Sequence, residues 1–259
     1  MNEAFQPGQD CSFDFSGKTV LVTGAGRGVG AEIARLFHRS GAHVAVSDVD
    51  GDSALALASA LDPDAIRTAG MMLDVREKKY FENALDSLVA RWGKVDIVIN
   101  NAGYAKRTPL FDISPQEFDD IVAINMRSVF LSCQVFAPHM KANGSGRIVN
   151  ITSLAGQNGG TVASAHYASA KAGAIMLTKY FAQEFAGSGV TVNAISPGPI
   201  STAKGRLSAD QIAMIEKRVP LGRFMEAGEI AAATAFLASD QGGFFVGATL
   251  DMNGGLFMR

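Results

Sequence analysis

Cysteine is scarce in this chain, and its scarcity excludes two classes of protein. Only Cys11 and Cys133 occur among 259 residues, and neither has a second Cys or a His at the short spacing that structural metal sites use. A small secreted scaffold held together by disulfides needs more cysteines than this. We therefore expect two reduced thiols that serve packing, no bound metal and a cytoplasmic location.

The sequence also lacks a large excess of either charge and any long apolar run. Lys and Arg total 23 against 25 Asp and Glu, a formal net charge of -2, which predicts no broad basic surface for nucleic acid or an anionic membrane. No stretch approaches the roughly 18 consecutive apolar residues of a membrane-spanning helix, although 47% of the residues are hydrophobic. The expected partners are a small-molecule substrate and further copies of the chain.

What the sequence does contain is a regular alternation of short β-branched runs with longer helical patterns. The runs predict strands at 18–23, 43–48, 66–73, 95–100, 147–152, 190–195 and 249–252. Helices are predicted at 29–39, 54–61, 77–92, 115–140, 163–185 and 227–239. Strands that alternate with helices form a parallel sheet covered on both faces. The sequence therefore predicts an α/β fold, a doubly wound Rossmann-type sheet of about seven strands.

The chain is expected to form one domain over residues 17–259, because its composition does not change and its length suits one large core. Residues 1–16, which are polar and contain Pro7 and Gly8, are expected to be a loosely ordered leader. A polar stretch at 200–219 is too short for a second domain and is predicted to be a mobile lid. In doubly wound sheets the ligand site lies at the carboxyl ends of the strands, where the strand order reverses.

A glycine-rich stretch, Thr-Gly-Ala-Gly-Arg-Gly-Val-Gly at 23–30, follows the first predicted strand. Glycines let backbone amides approach a pyrophosphate at the positive end of a helix dipole, although such a loop also occurs as a turn without ligand. Asp48 ends the second strand, where a carboxylate binds the ribose hydroxyls of NAD and repels the 2′-phosphate of NADP. NAD is therefore expected ahead of NADP, although the guanidinium of Arg27 could neutralise that phosphate.

Tyr167 and Lys171 are four residues apart in a predicted helix, so their side chains share one face. Ser153 follows the strand predicted at 147–152 and reaches the same carboxyl-end crevice. Taken singly, Ser153 is typical of a turn and Lys171 of a solvated helix surface, but together they can serve acid/base chemistry on one oxygen. Because an unperturbed tyrosine has a pKa near 10, that chemistry requires a lowered pKa, for which Lys171 is the candidate cause, together with the positive ring of an oxidised nicotinamide cofactor.

These motifs resemble those of the short-chain dehydrogenase/reductase family, and the likeness extends from Gly17 to Gly255. The matching motifs are the glycine loop, Asp74-Val75, Asn100-Asn101-Ala102-Gly103, Asn125, Ser153 with Tyr167 and Lys171, Ser196-Pro197-Gly198-Pro199-Ile200 with Thr202, Pro220-Leu221-Gly222-Arg223, and Asp251 to Gly255. The resemblance implies direct hydride transfer between a nicotinamide cofactor and an alcohol or ketone, without a metal.

The resemblance also implies a role for each matching residue. The four catalytic residues would be Asn125, Ser153, Tyr167 and Lys171. The cofactor would be bound by Gly24, Arg27, Gly28, Val29, Gly30, Asp48, Asp74, Val75, Asn101, Ala102, Gly103, Tyr167, Lys171, Pro197, Gly198, Ile200 and Thr202. Lys171 would hold the nicotinamide ribose, and Asn125 would interrupt its helix and position a water that links Lys171 to solvent.

Assembly and pocket walls follow from the same resemblance. In the family the helices at 115–140 and 163–185 pair across a two-fold axis and the C-terminal segment forms a second interface, which implies a homotetramer ahead of a dimer. More residues separate Ser153 from Tyr167 than in many relatives, so the loop at 157–160 is expected to hold an extra residue. The residues expected to line or gate the substrate pocket are Tyr104, Lys106, Arg107, Leu154, Gln157, His166, Lys204 and Arg206.

Three hypotheses about function remain. The leading one is an oxidoreductase that transfers a hydride between NAD(H) and a secondary alcohol/ketone pair, such as a polyol, a sugar or a related small hydroxy compound. The second is an NADPH-dependent 3-ketoacyl reductase, and Asp48 discriminates between these two. The least favoured is a nucleotide-binding protein without turnover, and the complete catalytic set weighs against it.

Overall fold

Apolar runs form strands here because a parallel sheet buries both faces of each strand. The computed structural model describes residues 13–159 and 163–259, and within them the strands are Thr19–Thr23 (β1), His43–Asp48 (β2), Thr68–Met72 (β3), Ile97–Asn100 (β4), Gly146–Ile151 (β5), Val190–Pro197 (β6) and Thr249–Met252 (β7). They form one sheet in the order β3-β2-β1-β4-β5-β6-β7, and every neighbouring pair is parallel. The predicted doubly wound α/β fold is confirmed.

Helices cover both faces of this sheet. In chain order they are Gly28–Arg39 (α1), Gly51–Leu61 (α2), Lys78–Trp92 (α3), Pro115–Val122 (α4), Ser128–Ala142 (α5), Ala155–Asn158 (α6), Ala165–Phe185 (α7), Ala209–Arg218 (α8) and Ala227–Ala238 (α9). One core packs α1, α2 and α9 on the sheet and includes Val20 and Val22. The other packs α3, α5 and α7 on the opposite face and includes Leu21. Successive side chains of β1 point to opposite faces of the sheet and therefore contribute to both cores.

The helix predicted at 115–140 is not continuous. A π-helical turn at Ala123–Arg127 separates α4 from α5, and the Asn125 side chain donates to the carbonyl of Ile121 at 3.0 Å. The interruption at Asn125 is the one that the family resemblance implied. A hydrophobic pattern with a helical period could not reveal it, because a single wide turn hardly changes which residues face the core.

Several predicted boundaries were also wrong. The strand predicted at 66–73 is shorter, and α2 begins at Gly51 because the Asp50 side chain accepts from the amide of Ser53. Helix α7 begins at Ala165, two residues later than predicted. The short elements that the pattern missed are α6, α8 and 3₁₀ turns at Leu110–Asp112 and Ser201–Arg206.

Residues 13–16 differ from the expectation of a loosely ordered leader at 1–16. Residues 1–12, with Cys11, lie outside the described residues. Phe15 is only 3% exposed, packs its ring 4.7 Å from that of Phe37, and donates its amide to the carbonyl of Ser40. Residues 13–16 are thus part of the packed domain, because an aromatic ring buried on α1 contributes core surface.

The described cysteine, Cys133, lies in the most apolar helical stretch, Pro115–Ala142. Cys133 is a free thiol, and complete burial raises its pKa to about 12, which makes it unreactive. By length and composition the stretch Pro115–Ala142 could cross a membrane, but 56% of its most apolar window is buried inside the protein. A core helix of a globular domain has the same character.

A buried polar chain fixes α7 to the sheet. Asn100 on β4 donates to Asn150 on β5 at 2.8 Å, and Asn150 donates to the Thr178 hydroxyl on α7 at 2.9 Å. Thr178 in turn donates to the carbonyl of Ala174. All three side chains are buried, so each hydrogen bond compensates the cost of removing a polar group from water. This series of hydrogen bonds sets the depth at which α7 lies on the sheet.

We expect Thr178→Val to lower the free energy of unfolding by about 1–3 kcal/mol, because it leaves the Asn150 amide without an acceptor in the core. Thr234→Val on α9 is the matched control. Thr234 is equally buried, and its hydroxyl bonds only the carbonyl of Ile230, so that change should cost less than about 1 kcal/mol. Urea unfolding of both variants measures the difference, and equal losses would contradict a structural role for the polar chain.

Candidate active site

The largest group of predicted binding residues meets where the strand order reverses between β1 and β4. A cavity of about 570 Å³ opens there, at the carboxyl ends of the strands, as expected for this fold. Its wall includes eleven of the expected cofactor-binding residues: Gly24, Arg27, Val29, Gly30, Asp48, Asp74, Val75, Asn101, Ala102, Gly103 and Thr202. Residues from four different strand ends therefore share one crevice.

Hydrogen bonds between β1 and β4 hold the glycine loop in place. The Thr23 hydroxyl accepts from the amides of Asn101 and Ala102, each at 3.1 Å. The Asn101 side chain donates to the carbonyls of Thr23 and Gly24, each at 2.9 Å. Gly24 has a φ of +60°, and a Cβ there would lie 2.8 Å from the Ala102 Cα. The close approach of the glycine loop to the end of β4 therefore requires glycine at this position.

The loop leads into a helix end that suits a phosphate. The N-cap residue of α1, Arg27, makes no side-chain capping bond, and the first turn contains no acidic residue. The first amides of α1 are thus available to an anion, and the helix dipole adds partial positive charge at that point. A side chain at Gly30 would collide with the Gly24 carbonyl and the Asn101 amide. These features fit the pyrophosphate of a dinucleotide.

Two carboxylates stand at the β2 and β3 side of the cavity. Asp48 accepts from the amides of Gly26 at 3.0 Å and Asp50 at 3.2 Å, and its oxygens retain lone pairs for further donors. Asp74 forms an ion pair with Arg76 at 2.5 Å, and this bond lowers the pKa of Asp74. Arg76 also lines the cavity; the sequence analysis missed it, although it lies two residues from Asp74.

Arg27 lies on the same wall as Asp48 without being held by it. The guanidinium is exposed and, within the described residues, forms no ion pair. Its charge is therefore free to turn toward solvent or toward a bound phosphate.

The segment after β6 is arranged differently from the other predicted binding residues. Thr202 lines the main cavity, whereas Gly198 lines a separate one with Arg223 and Asp251. The Gly198 amide is already bonded to the carbonyl of Met252. Pro197 is the last residue of β6, and Ile200 forms a β-bridge with Met225.

The expected catalytic residues lie beside the main cavity, and Gly103 is the point of contact. A Cβ on Gly103 would lie 3.0 Å from Asn125 Oδ1 and 3.3 Å from Lys171 Nζ. Asn125 also exchanges two bonds with the backbone of Tyr104, at 3.2 and 2.8 Å. Lys171 donates to the carbonyl of Ile151 at 2.9 Å. Asn125 and Lys171 thus converge on the edge of the cavity from two different helices.

Ser153 and Tyr167 complete this group. The Ser153 hydroxyl is close enough to the phenol of Tyr167 to lower its pKa, and it accepts from the amide of Ala155 at 3.2 Å. Lys171 Nζ lies 5.8 Å from the centre of the Tyr167 ring. Side chains from the helical turn at Asn125, from the end of β5 and from α7 therefore meet near the carboxyl end of β5.

The pKa values in this group differ from the sequence-based expectation. Burial raises the pKa of Tyr167, and the Ser153 hydroxyl offsets part of this rise. Burial also lowers the pKa of Lys171 to about 8. Both shifts favour the neutral forms because a low dielectric penalises either charge. In the protein without cofactor, burial thus raises the Tyr167 pKa; the lowering expected from Lys171 together with the oxidised nicotinamide ring stays a prediction.

The residues expected to line the substrate pocket have varied surroundings. Tyr104 lines the main cavity and is half exposed. Gln157 bonds Asp251, Lys204 pairs with Glu216 at 2.9 Å, and Lys106 pairs with Glu117 at 2.5 Å.

The other four residues expected to line the pocket differ in how far they are buried. Leu154 is partly buried and Arg107 is exposed. The Arg206 side chain lies outside the described part of the structure, as do residues 160–162, which include the end of the loop predicted at 157–160. His166 is completely buried, so the expectation that it lines the pocket is wrong. Within the described ranges, no three His, Cys, Asp or Glu side chains are grouped as a metal site requires.

Comparison with known proteins agrees with this geometry. Over 249 residues the chain is 38% identical to an uncharacterized short-chain type dehydrogenase/reductase, y4mP, of Sinorhizobium fredii, which covers 94% of this chain and 98% of the relative. A family model described as enoyl-(acyl carrier protein) reductase matches residues 24–257. The chain belongs to the short-chain dehydrogenase/reductase family. It is therefore an oxidoreductase of a family that uses a nicotinamide nucleotide.

Other members of the short-chain dehydrogenase/reductase family have named activities. The chain is 41% identical over 248 residues to the 3-oxoacyl-(acyl-carrier-protein) reductase FabG of Escherichia coli, with 95% of this chain and 99% of the relative covered. It is 38% identical to D-threitol dehydrogenase of Mycolicibacterium smegmatis over the full length of both. A crystal structure described as a glucose/ribitol dehydrogenase from Brucella melitensis superposes with a TM-score of 0.87, at 30% identity, and covers 96% of this chain and all of that one.

Proposed function

We propose that this protein transfers a hydride between NAD(H) and a secondary alcohol/ketone pair, with a polyol, a sugar or a related small hydroxy compound as substrate. The observation that carries this proposal is the grouping of Ser153, Tyr167 and Lys171 at the edge of a cavity lined by the glycine loop and Asp48. The names of the D-threitol dehydrogenase and glucose/ribitol dehydrogenase relatives support this substrate class.

Tyr167 is the proposed proton donor and acceptor. When bound, the nicotinamide cofactor supplies or accepts the hydride. The raised pKa of Tyr167 keeps the phenol protonated at neutral pH, so it can donate a proton to a carbonyl oxygen during reduction. During alcohol oxidation the phenolate must form, and a positive charge on or near Lys171 favours it. Ser153 donates its hydroxyl to the same substrate oxygen and thereby orients it.

Lys171 and Asn125 are the proposed path for that proton. Lys171 has a pKa of about 8, so its ammonium can release and regain a proton near neutral pH at modest cost. Asn125 is completely buried, and its amide is held by backbone groups of Tyr104 and Ile121. Its proposed role is to hold a water near Lys171 that connects the ammonium to solvent.

Cofactor choice is the second part of the proposal. The expected adenosine position lies against Asp48, and a 2′-phosphate there would meet a carboxylate at short range. Asp74 is paired with Arg76, so that cation is already neutralised. NAD is therefore proposed ahead of NADP.

An NADPH-dependent 3-ketoacyl reductase is the second candidate. Arg27 favours it because its guanidinium on the cavity wall, which forms no ion pair with the residues that the structure describes, could bind a 2′-phosphate. The 41% identity to the Escherichia coli FabG reductase supports the same reading. A nucleotide-binding protein without turnover is disfavoured by the intact group of four side chains. The lid at 200–219, of which Thr202 lines the cavity, and the cytoplasmic location stay predictions.

The proposed assembly is a homotetramer. On the outer faces of α5 and α7, Phe130 is 40% exposed and Tyr180 is 67% exposed. Between α9 and β7, Phe244 is fully exposed and Val246 is 49% exposed. Exposed aromatic side chains in two separate patches are typical of subunit interfaces, and two different two-fold contacts generate a tetramer.

Tyr167→Phe should lower kcat by about 10²- to 10⁴-fold because it removes only the proton-transfer hydroxyl. Cofactor affinity should change little, since the ring still packs. Absorbance of the reduced cofactor with D-threitol, ribitol and glucose measures kcat, and a 3-oxoacyl thioester with NADPH tests the second candidate. Tyr180→Phe, an exposed tyrosine on the same helix, is the control. Retention of more than about a tenth of wild-type kcat would refute the role of Tyr167.

The wild-type protein should show a higher kcat/KM with NAD than with NADP. Asp48→Ser should raise the ratio of NADP to NAD activity by about tenfold or more, the factor that about 1.4 kcal/mol of removed repulsion provides. Asp52→Ser, in the first turn of α2, should leave the ratio unchanged. A wild-type preference for NADP would favour the 3-ketoacyl reductase instead.

The wild-type protein should sediment at four times the 27.2 kDa of one chain. Tyr180→Glu and Phe244→Glu should each yield dimers, because each places a charge in one interface only. Leu55→Glu changes an exposed residue outside both patches and should leave the tetramer intact. Sedimentation of a stable wild-type monomer at micromolar concentration would refute the proposed assembly.

A further inference from the structure

A buried imidazole, that of His166, and a partly buried carboxylate, that of Glu117, lie close to Tyr167 and have no part in the chemistry above. His166 Nε2 lies 3.0 Å from Glu117 Oε1, and Lys106 donates to Glu117 Oε2 at 2.5 Å. The Thr108 hydroxyl also donates to Glu117. Together these bonds lower the pKa of Glu117 to about 2, so the group is a carboxylate at any physiological pH. One carboxylate thus joins α4, the chain at 106–108 and the first turn of α7.

The imidazole replaces the usual cap of α7. Ser164 is the N-cap residue, and an N-cap serine normally accepts from an amide in the first turn. Here its hydroxyl instead accepts from the Thr108 amide at 2.8 Å and donates to the Thr108 carbonyl at 3.0 Å. The third amide of the helix, that of Tyr167, donates to His166 Nδ1 at 2.9 Å. The imidazole of His166 therefore accepts the hydrogen bond of the Tyr167 backbone amide.

The two ring nitrogens have different and complementary partners. Nδ1 must be without a proton to accept from the Tyr167 amide, so a neutral ring carries its proton on Nε2 and donates it to Glu117. The opposite tautomer would place an N–H against an N–H and leave Glu117 without a donor. His166 is 0% exposed, so no water can replace a lost bond at ordinary cost. Glu117 therefore selects the tautomer that the capping bond requires.

We propose that His166 is a positioning residue for Tyr167, and that Glu117 fixes its ring and ties the chain at 106–108 to the catalytic helix. The inference rests on the proposed role of Tyr167. Acid/base transfer needs the phenol within hydrogen-bond reach of the substrate oxygen, and a displacement of about 1 Å can cost about 10²-fold in rate. The first turn of α7 sets the phenol position, and His166 sets that turn.

Kinetics of three histidine variants test the positioning role. His166→Leu should lower kcat by about 10- to 100-fold while the dissociation constant for NAD changes less than about twofold. His166→Asn should recover most of kcat, because its Oδ1 occupies the place of Nδ1 and accepts the Tyr167 amide. His139→Leu is the matched control. His139 also accepts a backbone amide, that of Val95, but lies remote from the site, so its kcat should match the wild type.

Equal losses in the leucine and asparagine variants, or an unchanged kcat in His166→Leu, would overturn the positioning role. Glu117 is tested in the same assay, with D-threitol, ribitol and glucose as substrates. Glu117→Ala removes the acceptor and should resemble His166→Leu, whereas Glu117→Gln retains a carbonyl acceptor and should lose less. A wild-type kcat in Glu117→Ala would show that the ring needs no second partner.

Nitrogen NMR of the wild-type protein provides a readout that does not depend on activity. The chain has only four histidines, and the signal lost in His166→Asn identifies that ring. Nδ1 of His166 should be without a proton and Nε2 should carry one. A protonated Nδ1 would overturn the inference even if the enzyme is active. A wild-type protein without turnover but with this tautomer would refute the proposed function and leave the capping arrangement in place.

Discussion

The structure of the site depends on the hydrogen bonds that Thr23 and Asn101 exchange between β1 and β4. These strands are neighbours in the sheet but lie far apart in the sequence, and they flank the point where the strand order reverses. The threonine hydroxyl and the asparagine amide together bond five backbone groups. They hold the glycine loop against the end of β4, so the first amides of α1 face a cavity instead of packing on protein.

Burial sets the chemistry next to that cavity. Tyr167 and Lys171 lie on one helix, and the buried Asn100, Asn150 and Thr178 chain sets how deeply this helix lies on the sheet. At that depth neither a phenolate nor an ammonium is well solvated, so the pKa of Tyr167 rises and that of Lys171 falls, and both shifts favour the uncharged forms. The site is thus poised for small additional charges to decide where the proton resides.

The first turn of α7 has a further constraint. Its N-cap serine is used to hold Thr108, and the imidazole of His166 caps the catalytic tyrosine in its place. The segment 106–108, which follows Tyr104 on the cavity wall, is thereby connected to the turn that positions the phenol of Tyr167. A substrate-side movement in that chain would therefore reach Tyr167 through Glu117 and His166, because short hydrogen bonds connect each member to the next.

Much of this protein could be predicted from its sequence, because the local signals are strong. Runs of Val and Ile alternate with helical patterns, which is sufficient for a parallel sheet. The glycine loop, Asp48 and the Tyr167 and Lys171 pair each have a spacing that predicts their place at a strand end or on a helix face. The interruption at Asn125 was implied only by the family resemblance, since a π-helical turn leaves the hydrophobic period almost unchanged.

Only the tertiary structure decided the surroundings of those residues. His166 looked like a pocket residue in the sequence, but packing against α4 buries it on Glu117. The spacing of Tyr167 and Lys171 suggested a lowered tyrosine pKa, but burial raises the pKa of Tyr167 in the protein without cofactor. The sequence alone determined which residues meet at the carboxyl ends of the strands, because strand and helix periods are local properties. Partners, burial and pKa values depend on long-range packing, which no local pattern encodes.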